Sequence, residues 1–312
     1  MNEHSSTPLP DTLQDRLGQG RFVMTAELAP PVSCDAQDLL AKAAALKGLA
    51  DAVNVTDGAG ARAHMSALAA ARLLIDAGIE PILQITCRDK NRLALQSELM
   101  GAAALGIHNL LLLTGDDPKS GDQPDTKPVF DINSTALIET ARRLRDQGEL
   151  PTGRKVAGKA AFFLGAADMP IDPPPGWQPN ALLGKIKSGA QFVQTQFCMD
   201  GAIVRRYVGR LADAGLTQNL AILVGVNPLR SSKSAHWIKN HLFGTIIPDT
   251  LIKRMENAAD PAREGVRICT ELIEELSTIA GVSGVHIMAP GNDDAIAEVI
   301  AAVRGPIRSI GA

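Results

Sequence analysis

The sequence has few aromatic residues and no excess of positive charge. Phe, Trp and Tyr make up 3% of its 312 residues, too few for the stacking platforms of single-strand nucleic-acid binders or the aromatic belts of membrane proteins. The 31 Lys and Arg residues are outnumbered by 34 Asp and Glu residues, so the formal net charge is −3 and no basic field attracts a polyanion. We therefore expect neither nucleic acid nor a membrane as a partner.

Cysteine is also scarce. Cys34, Cys87, Cys198 and Cys269 are widely spaced, and neither a CxxC pair nor a histidine at metal-ligand spacing accompanies them. This pattern predicts no disulfide framework and no metal site, and it fits a reducing compartment. The first residues lack the pattern of a leader, and no run of about 18 apolar residues follows. We expect a cytoplasmic protein.

Short apolar runs alternate with segments of helical periodicity after a polar, flexible tail that we place at residues 1–20. Eight runs have the length and composition of strands: 22–28, 51–57, 81–87, 109–115, 156–163, 191–197, 220–226 and 284–290. Eight strands that alternate with helices predict right-handed βαβ units and a parallel sheet. Because eight is the number that closes such a sheet, we predict an α/β protein with a single (β/α)8 TIM barrel over residues 21–312.

The rival arrangement is an open doubly wound sheet. That fold commonly carries a GxGxxG motif at its first strand–helix turn; this chain has none, and GAGAR at 58–62 lacks the required spacing. Two long connections rich in Pro and Gly, 115–128 and 164–179, follow predicted strands. A barrel places both on its C-terminal face, where barrel enzymes keep their chemistry. We therefore favour the barrel and expect the site at that face.

Polar residues at the strand ends converge on this face. Glu27 is the most informative of them, because it ends an apolar strand and precedes Leu-Ala-Pro-Pro, which we expect to bury it and to suit it to donating a proton. From position alone, an ion pair with a neighbouring Arg or Lys is an equal alternative. The other residues predicted at the rim are Asn54, Thr56, Asp57, Gln84, Arg88, Asp89, Thr114, Asp116, Asp117 and Gln196.

Alternatives stay open for several side chains. Gln194 and Gln196 share one face of a strand, and amides inside a barrel must be hydrogen-bonded. We expect Gln196, nearer the rim, to contact a ligand; the alternative is a buried side-chain network. His64 and His286 suit acid–base chemistry, although a structural role is commoner for a lone histidine. Lys185 fits a solvated helix end or a phosphate contact.

Several segments, taken in order, resemble the methylenetetrahydrofolate reductase family, from about Phe22 to the end of the chain. The motifs are AELAPP (26–31), VNVTDGA (53–59), LTGDDP (113–118) and GAQFVQTQF (189–197). Three further segments look most like the branch of this family that is found fused to homocysteine methyltransferases. They are QITCRDKN (84–91), LQS (95–97) and GAA (165–167).

The resemblance implies reduction of 5,10-methylenetetrahydrofolate to 5-methyltetrahydrofolate with NADH or NADPH, by ping-pong hydride transfer through FAD, in a homo-oligomer. Glu27 would protonate N10 of the folate and open the ring to an N5 iminium, the hydride acceptor. Asp116 would lie beside flavin and pterin, and Gln196 would bind the pterin and, in its turn, the nicotinamide. The implied FAD contacts are Thr56, Gln84, Thr114, Gly115, Asp116, Phe130, Asp131, Gly165, Ala166, Ala167 and Lys185.

Three positions depart from the family pattern. Gln84 replaces a histidine of many bacterial members, Thr114 stands where others have arginine, and segment 225–232 lacks their ligand-stacking aromatic residue. Two other functions therefore stay open. One is a folate-binding barrel that transfers a methyl group to a corrinoid or a thiol without redox chemistry. The other is a folate-binding subunit that depends on a partner for electrons.

Overall fold

The computed structural model describes residues 11–305, whose eight strands form a closed parallel barrel. Each strand pairs with its neighbours in sequence, and the last strand pairs with the first to close the sheet. The strands are β1 (Val23–Leu28), β2 (Ala52–Val55), β3 (Pro81–Thr86), β4 (Asn109–Leu113), β5 (Phe163–Asp168), β6 (Phe192–Phe197), β7 (Ala221–Val226) and β8 (Gly284–Ile287). The predicted (β/α)8 barrel is confirmed, and the open sheet is excluded.

Helices surround the barrel. They are α1 (Leu13–Gly18), α2 (Ala36–Ala43), α3 (Ala67–Asp76), α4 (Arg92–Ala104), α5 (Ser134–Gln147), α6 (Asn180–Ser188), α7 (Gly201–Asp213), α8 (Ser232–His241), α9 (Asp249–Glu256), α10 (Pro261–Ser277) and α11 (Asp294–Arg304). Asp35, Asn91 and Asn133 cap the N-termini of α2, α4 and α5, because their side chains accept hydrogen bonds from first-turn amides. Within residues 11–305, no helix has the length and apolarity needed to cross a membrane.

Alternation along the strands separates an outer packing layer from the barrel interior. In β1, Met24 and Ala26 belong to the large core between barrel and helices, whereas Val23, Thr25 and Glu27 point inward. The apolar cluster that fills the lower interior consists of Leu13, Val23, Ala52, Ile82, Leu111, Phe163, Phe192 and Leu223. Polar side chains begin one layer above this cluster, toward the C-terminal face.

Helix α1 closes the N-terminal end of the barrel. Leu13 is fully buried in the lower interior cluster, and its backbone N–H donates to the carboxylate of Glu80 at 2.9 Å. Burial raises the pKa of Glu80. Residues 1–10 of the predicted flexible tail lie outside the described residues. For residues 11–20 that prediction is wrong, because this helix begins inside the tail and supplies a core side chain.

The fifth strand overlaps the run predicted for it only at Phe163. Residues 156–162 are irregular, and β5 begins at Phe163 and continues through residues that we assigned to the 164–179 connection. The Phe163 ring stacks on Phe192 with centroids 4.9 Å apart. A Cβ atom on Gly165 would lie 2.2 Å from the Phe192 ring. The Phe192 ring of β6 thus fills the interior space beside Gly165, and β5 has no room there for a branched side chain.

Candidate active site

A cavity of about 520 Å³ opens at the C-terminal end of the barrel, with Leu111, Leu112 and Leu113 of β4 in its wall. Its lining contains nine of the predicted site residues: Glu27, Thr56, Gln84, Thr114, Gly115, Asp116, Ala167, Lys185 and Gln196. A larger groove of about 740 Å³ lies outside the barrel along α10. That groove is lined by ion-paired side chains such as Arg267 and Glu271 and by no predicted site residue. We therefore place the candidate site in the smaller cavity.

Glu27 is the next-to-last residue of β1 and faces this cavity. Its side chain is 24% exposed, so it is less buried than we expected. One carboxylate oxygen lies 3.9 Å from Nε2 of His286, which is too far for a direct hydrogen bond. His286 is 2% exposed and lines the same cavity, whereas His64 lies in an adjoining one. Of the two histidines considered from sequence, only His286 is brought to the candidate acid.

A buried polar network lies beneath Glu27. Nδ1 of His286 is 3.0 Å from the Thr25 hydroxyl, which also receives a hydrogen bond from the Gln194 amide at 3.2 Å. Gln194 and Asn54 exchange two side-chain hydrogen bonds, at 2.5 and 3.0 Å. The network satisfies polar groups whose burial would otherwise destabilise the barrel. It also fixes the histidine ring on the side of the carboxylate.

Asp116 enters the cavity from the turn after β4. Gly115 has φ of +96°, and a Cβ atom there would lie 2.9 Å from the Cβ of Arg88, so this tight turn requires glycine. The Asp116 carboxylate accepts a hydrogen bond from the Gly60 N–H at 3.2 Å, which ties the loop after β4 to the loop after β2. Asp117 caps the next turn instead. Within residues 11–305, no three His, Cys, Asp or Glu side chains are grouped to hold a metal ion.

Gln196 faces the cavity at a point where the pairing of β6 with β7 is irregular. Between Gln194 and Phe197, β6 has one residue more than β7, which is a β-bulge. Bulges re-aim side chains next to active sites, and here Thr195 and Gln196 both line the cavity. The Gln196 amide donates to the backbone carbonyl of Phe243 at 3.3 Å. Gln194 thus belongs to the buried hydrogen-bond network, whereas Gln196 lies where a ligand can reach it. Contact of Gln196 with a ligand stays a prediction.

Four of the residues that the family resemblance implied as FAD contacts lie outside this cavity. Gly165 packs against Phe192, and Ala166 faces the outer core. Asp131 is bound by Arg92, whose Nε and Nη2 donate at 2.7 and 2.8 Å. These hydrogen bonds lower the pKa of the Asp131 carboxyl. Phe130 belongs to the same rim segment. Contact of these residues with a cofactor stays a prediction.

The residues in the cavity fit a flavin. The Thr56 hydroxyl is buried and has no hydrogen-bond partner among residues 11–305, which leaves a polar atom for a ligand. Leu111 and Leu113 of β4 offer apolar side chains from the barrel interior to a planar ring, and Gln84 lies in the same lining. Lys185, whose ammonium donates to the Ala167 carbonyl at 2.5 Å, offers a cation to a phosphate.

Sequence reasoning gave no ligand role to several lining residues, which include Asp57, Thr86, Arg88, Ser134, Asp168, Met169 and Met288. Asp168 is informative because it ends β5, and a strand-end rule applied to the correct strand would have found it. Its carboxylate accepts a hydrogen bond from the buried Tyr207 hydroxyl. Burial and the adjacent carboxylate raise the pKa of Tyr207, so the phenol remains the donor.

Comparison with known proteins shows the family to which the chain belongs. The family model described as methylenetetrahydrofolate reductase matches residues 12–304. A probable methylenetetrahydrofolate reductase (NADPH) of Caenorhabditis elegans is 23% identical over 244 residues, which are 74% of this chain and 33% of that protein. Methylenetetrahydrofolate reductase 2 of Schizosaccharomyces pombe is 26% identical over 215 residues, or 67% and 32% of the two chains. This chain spans about a third of the length of these relatives.

Two solved structures share the fold. One is an uncharacterized protein from Clostridium thermocellum that binds two copies of 5-methyl-5,6,7,8-tetrahydrofolic acid; its TM-score is 0.66 at 12% identity, over 94% of this chain and 99% of that one. The other is the EDTA monooxygenase of Chelativorans sp. BNC1, with a TM-score of 0.52 at 13% identity, over 91% and 92%. At these identities the likeness concerns the barrel itself.

Proposed function

Because the chain belongs to the methylenetetrahydrofolate reductase family, we propose that it reduces 5,10-methylenetetrahydrofolate to 5-methyltetrahydrofolate with NADH or NADPH, in a ping-pong cycle that uses FAD. The observation that carries the proposal is the meeting of Glu27, Asp116 and Gln196 in one cavity at the C-terminal face. Barrel enzymes place their reacting groups there. The cytoplasm as location and a homo-oligomeric state belong to the same proposal.

Glu27 acts as the general acid. It donates its proton to N10 of the folate, the C–N bond of the five-membered ring breaks, and the N5 iminium that results is the electrophile for hydride. Its half-buried position gives it access to the substrate while the buried His286 and Thr25 stand behind it. A positioned proton donor of this kind contributes about 10²- to 10⁴-fold to a rate.

Asp116 and Gln196 position the substrates. The Asp116 turn is fixed by Gly115 and by the Gly60 amide, so the carboxylate is held in place before the folate binds. The Gln196 amide, presented by the bulge, offers both a donor and an acceptor to a pterin edge or a carboxamide. One amide serves two planar ligands in turn, which agrees with ping-pong order.

FAD, when bound, supplies a two-electron hydride carrier between nicotinamide and folate. Thr56, Gln84, Thr114, Gly115 and Asp116 would hold its ring system at the wall made by β2, β3 and β4. Ala167 and Lys185 would contact the diphosphate and the ribityl chain, and Phe130, Asp131, Gly165 and Ala166 stay proposed contacts outside the cavity described above.

An anaerobic absorbance titration of the purified chain tests the proposal. We expect flavin bands that bleach with NADH or NADPH and return on addition of methylenetetrahydrofolate. A chain that binds no flavin, even after incubation with FAD, would contradict a flavin-dependent reductase and favour methyl transfer by a folate-binding barrel. A flavin that nicotinamide does not reduce would favour the subunit that receives electrons from a partner.

A further inference from the structure

Arg88 is a buried cation in the wall of the candidate site to which the proposed reaction gives no role. It follows β3 and is 4% exposed. Its side chain lines both the site cavity and an adjoining cavity of about 290 Å³. Burying a charge costs free energy unless partners compensate it. The groups around the Arg88 guanidinium therefore indicate why a charge is buried beside this cavity.

The guanidinium joins the loops that carry the site. Its Nε and Nη2 donate to the Asp89 carboxylate at 2.8 and 2.6 Å, and Nη1 donates to the Gly58 carbonyl at 3.0 Å. Its stem packs under Gly115, and its backbone carbonyl accepts the Val129 N–H at 2.7 Å. Arg88 therefore connects the loop after β2 to the loop after β4 through the loop after β3.

The same cation balances the carboxylates of this wall. Hydrogen bonds to Asp89, followed by the charges of Asp89, Asp57 and Asp116, raise the pKa of Arg88. Lys90, the neighbouring cation, is bound to Asp57 and Glu98. Asp116 has no Lys, Arg or His within 4 Å among residues 11–305. The charge of Arg88 therefore acts on Asp116 as well as on its hydrogen-bonded partner Asp89.

We propose that Arg88 is a positioning residue that supplies the counter-charge of the flavin-facing wall and so favours the reduced cofactor. The inference rests on the proposed function, in which this cavity binds FAD. A hydride taken from NAD(P)H carries two electrons and one proton, so the site gains one negative charge while the nicotinamide leaves as a cation. Without Arg88, the carboxylates of the wall would oppose that added charge.

Two variants separate charge from shape. Arg88→Met removes the charge, and Arg88→Lys keeps it but loses the planar fork. In the FAD-loaded protein, we expect Arg88→Met to weaken binding of the reduced relative to the oxidised cofactor by about tenfold. For a two-electron couple that is a shift of the potential by about 30 mV to more negative values, measured by reduction against a reference dye. Arg88→Lys should keep the wild-type potential.

Arg62→Met is the matched control, because Arg62 lines the adjoining cavity but not the site cavity, and we expect no shift there. Asp89→Asn is a second variant that leaves Arg88 in place and removes its half-exposed partner. It should move the potential to more positive values, so the test does not depend on the folding of Arg88→Met.

An unchanged potential in Arg88→Met, an equal shift in Arg88→Lys, or a negative shift in Asp89→Asn would overturn the inference and would leave only a structural role for Arg88. These results are read in flavin-loaded protein that nicotinamide still reduces, so they do not touch the proposed function. A wild-type chain that takes up no FAD would overturn both, and it is recognised from the wild-type spectrum alone.

Discussion

Three side chains at alternate positions of β6, Phe192, Gln194 and Gln196, meet three different environments inside the barrel. Phe192, at the lower end, stacks on Phe163 inside an apolar cluster. Gln194, in the middle, shares amide hydrogen bonds with Asn54. Gln196, at the upper end, faces the cavity. One strand therefore passes from packed core to candidate site within five residues.

The two ends of the interior follow different physical requirements. At the lower end, close packing stabilises the fold and each atom touches others. At the upper end, polar groups are held by hydrogen bonds, and the Thr56 hydroxyl is left without a partner among residues 11–305. Stability and chemistry are therefore separated along the barrel axis, and substitutions along β6 test that separation.

Phe192→Ala removes a ring from the lower interior cluster and should have the largest effect on stability. The ring is fully buried and fills the space that Gly165 leaves, so its loss creates a cavity. We expect the free energy of unfolding to fall by about 3–5 kcal/mol, measured by urea denaturation. FAD affinity of the protein that remains folded should be unchanged. A loss of flavin binding without a loss of stability would contradict this separation of stability and chemistry.

Gln194→Leu disrupts the buried hydrogen-bond network in the middle of the barrel. It leaves the Asn54 side chain without its partner, and an unsatisfied buried amide costs about 1–3 kcal/mol. The double variant Asn54→Leu/Gln194→Leu is the control, because it removes both partners and should cost less than the sum of the two single variants. Strict additivity in urea denaturation would show that the two amides do not act as a pair.

Gln196→Ala addresses the upper end and should leave stability within about 0.5 kcal/mol of wild type, since the side chain stands at the cavity edge. Its loss should instead raise the KM for methylenetetrahydrofolate about tenfold, which corresponds to 1.4 kcal/mol of binding. Steady-state kinetics and urea denaturation of the same preparation provide both values. A stability loss as large as that of Gln194→Leu would show that Gln196 belongs to the core network.

The smallest expected effect concerns thiol reactivity, which distinguishes buried from exposed cysteines. Cys87 and Cys198 follow β3 and β6 but are buried, and burial raises the pKa of Cys87 to about 11 and that of Cys198 to about 12. Both thiols therefore stay protonated and unreactive at pH 8, as does the buried Cys269. Native protein should react with a disulfide reagent at Cys34 only, and unfolded protein at all four. Rapid labelling of Cys87 or Cys198 in the native state would contradict this.

Periodicity and composition predicted most of the barrel because those signals are local. Seven strands lie within their predicted runs, since short apolar runs rich in Val, Ile and Leu mark most of them. The β5 sequence FLGAAD lacks that signal, because the small residue at Gly165 is required by Phe192 on the next strand, which no local pattern reveals. Helix α1 was missed for a similar reason. Leu13 is buried only because α1 covers the N-terminal end of the barrel, and that end exists only in the folded chain.

The candidate site was predictable where it follows strand ends. Glu27, Asp116 and Gln196 were found in this way, and the structure brings them to one cavity. Partnerships between distant segments were not predictable: the contact of His286 with Thr25 needs β8 to close against β1, and the Asp131 carboxylate pairs with Arg92 at the start of α4. Pairings between distant segments depend on tertiary geometry.

In the proposed cycle, Glu27 protonates the folate and takes no part in flavin reduction. Glu27→Gln, examined by anaerobic stopped-flow absorbance, tests it most directly. We predict that NADH or NADPH reduces the flavin of this variant at close to the wild-type rate, while reoxidation by methylenetetrahydrofolate slows by about 10²- to 10⁴-fold. Reoxidation at the wild-type rate would contradict the claim.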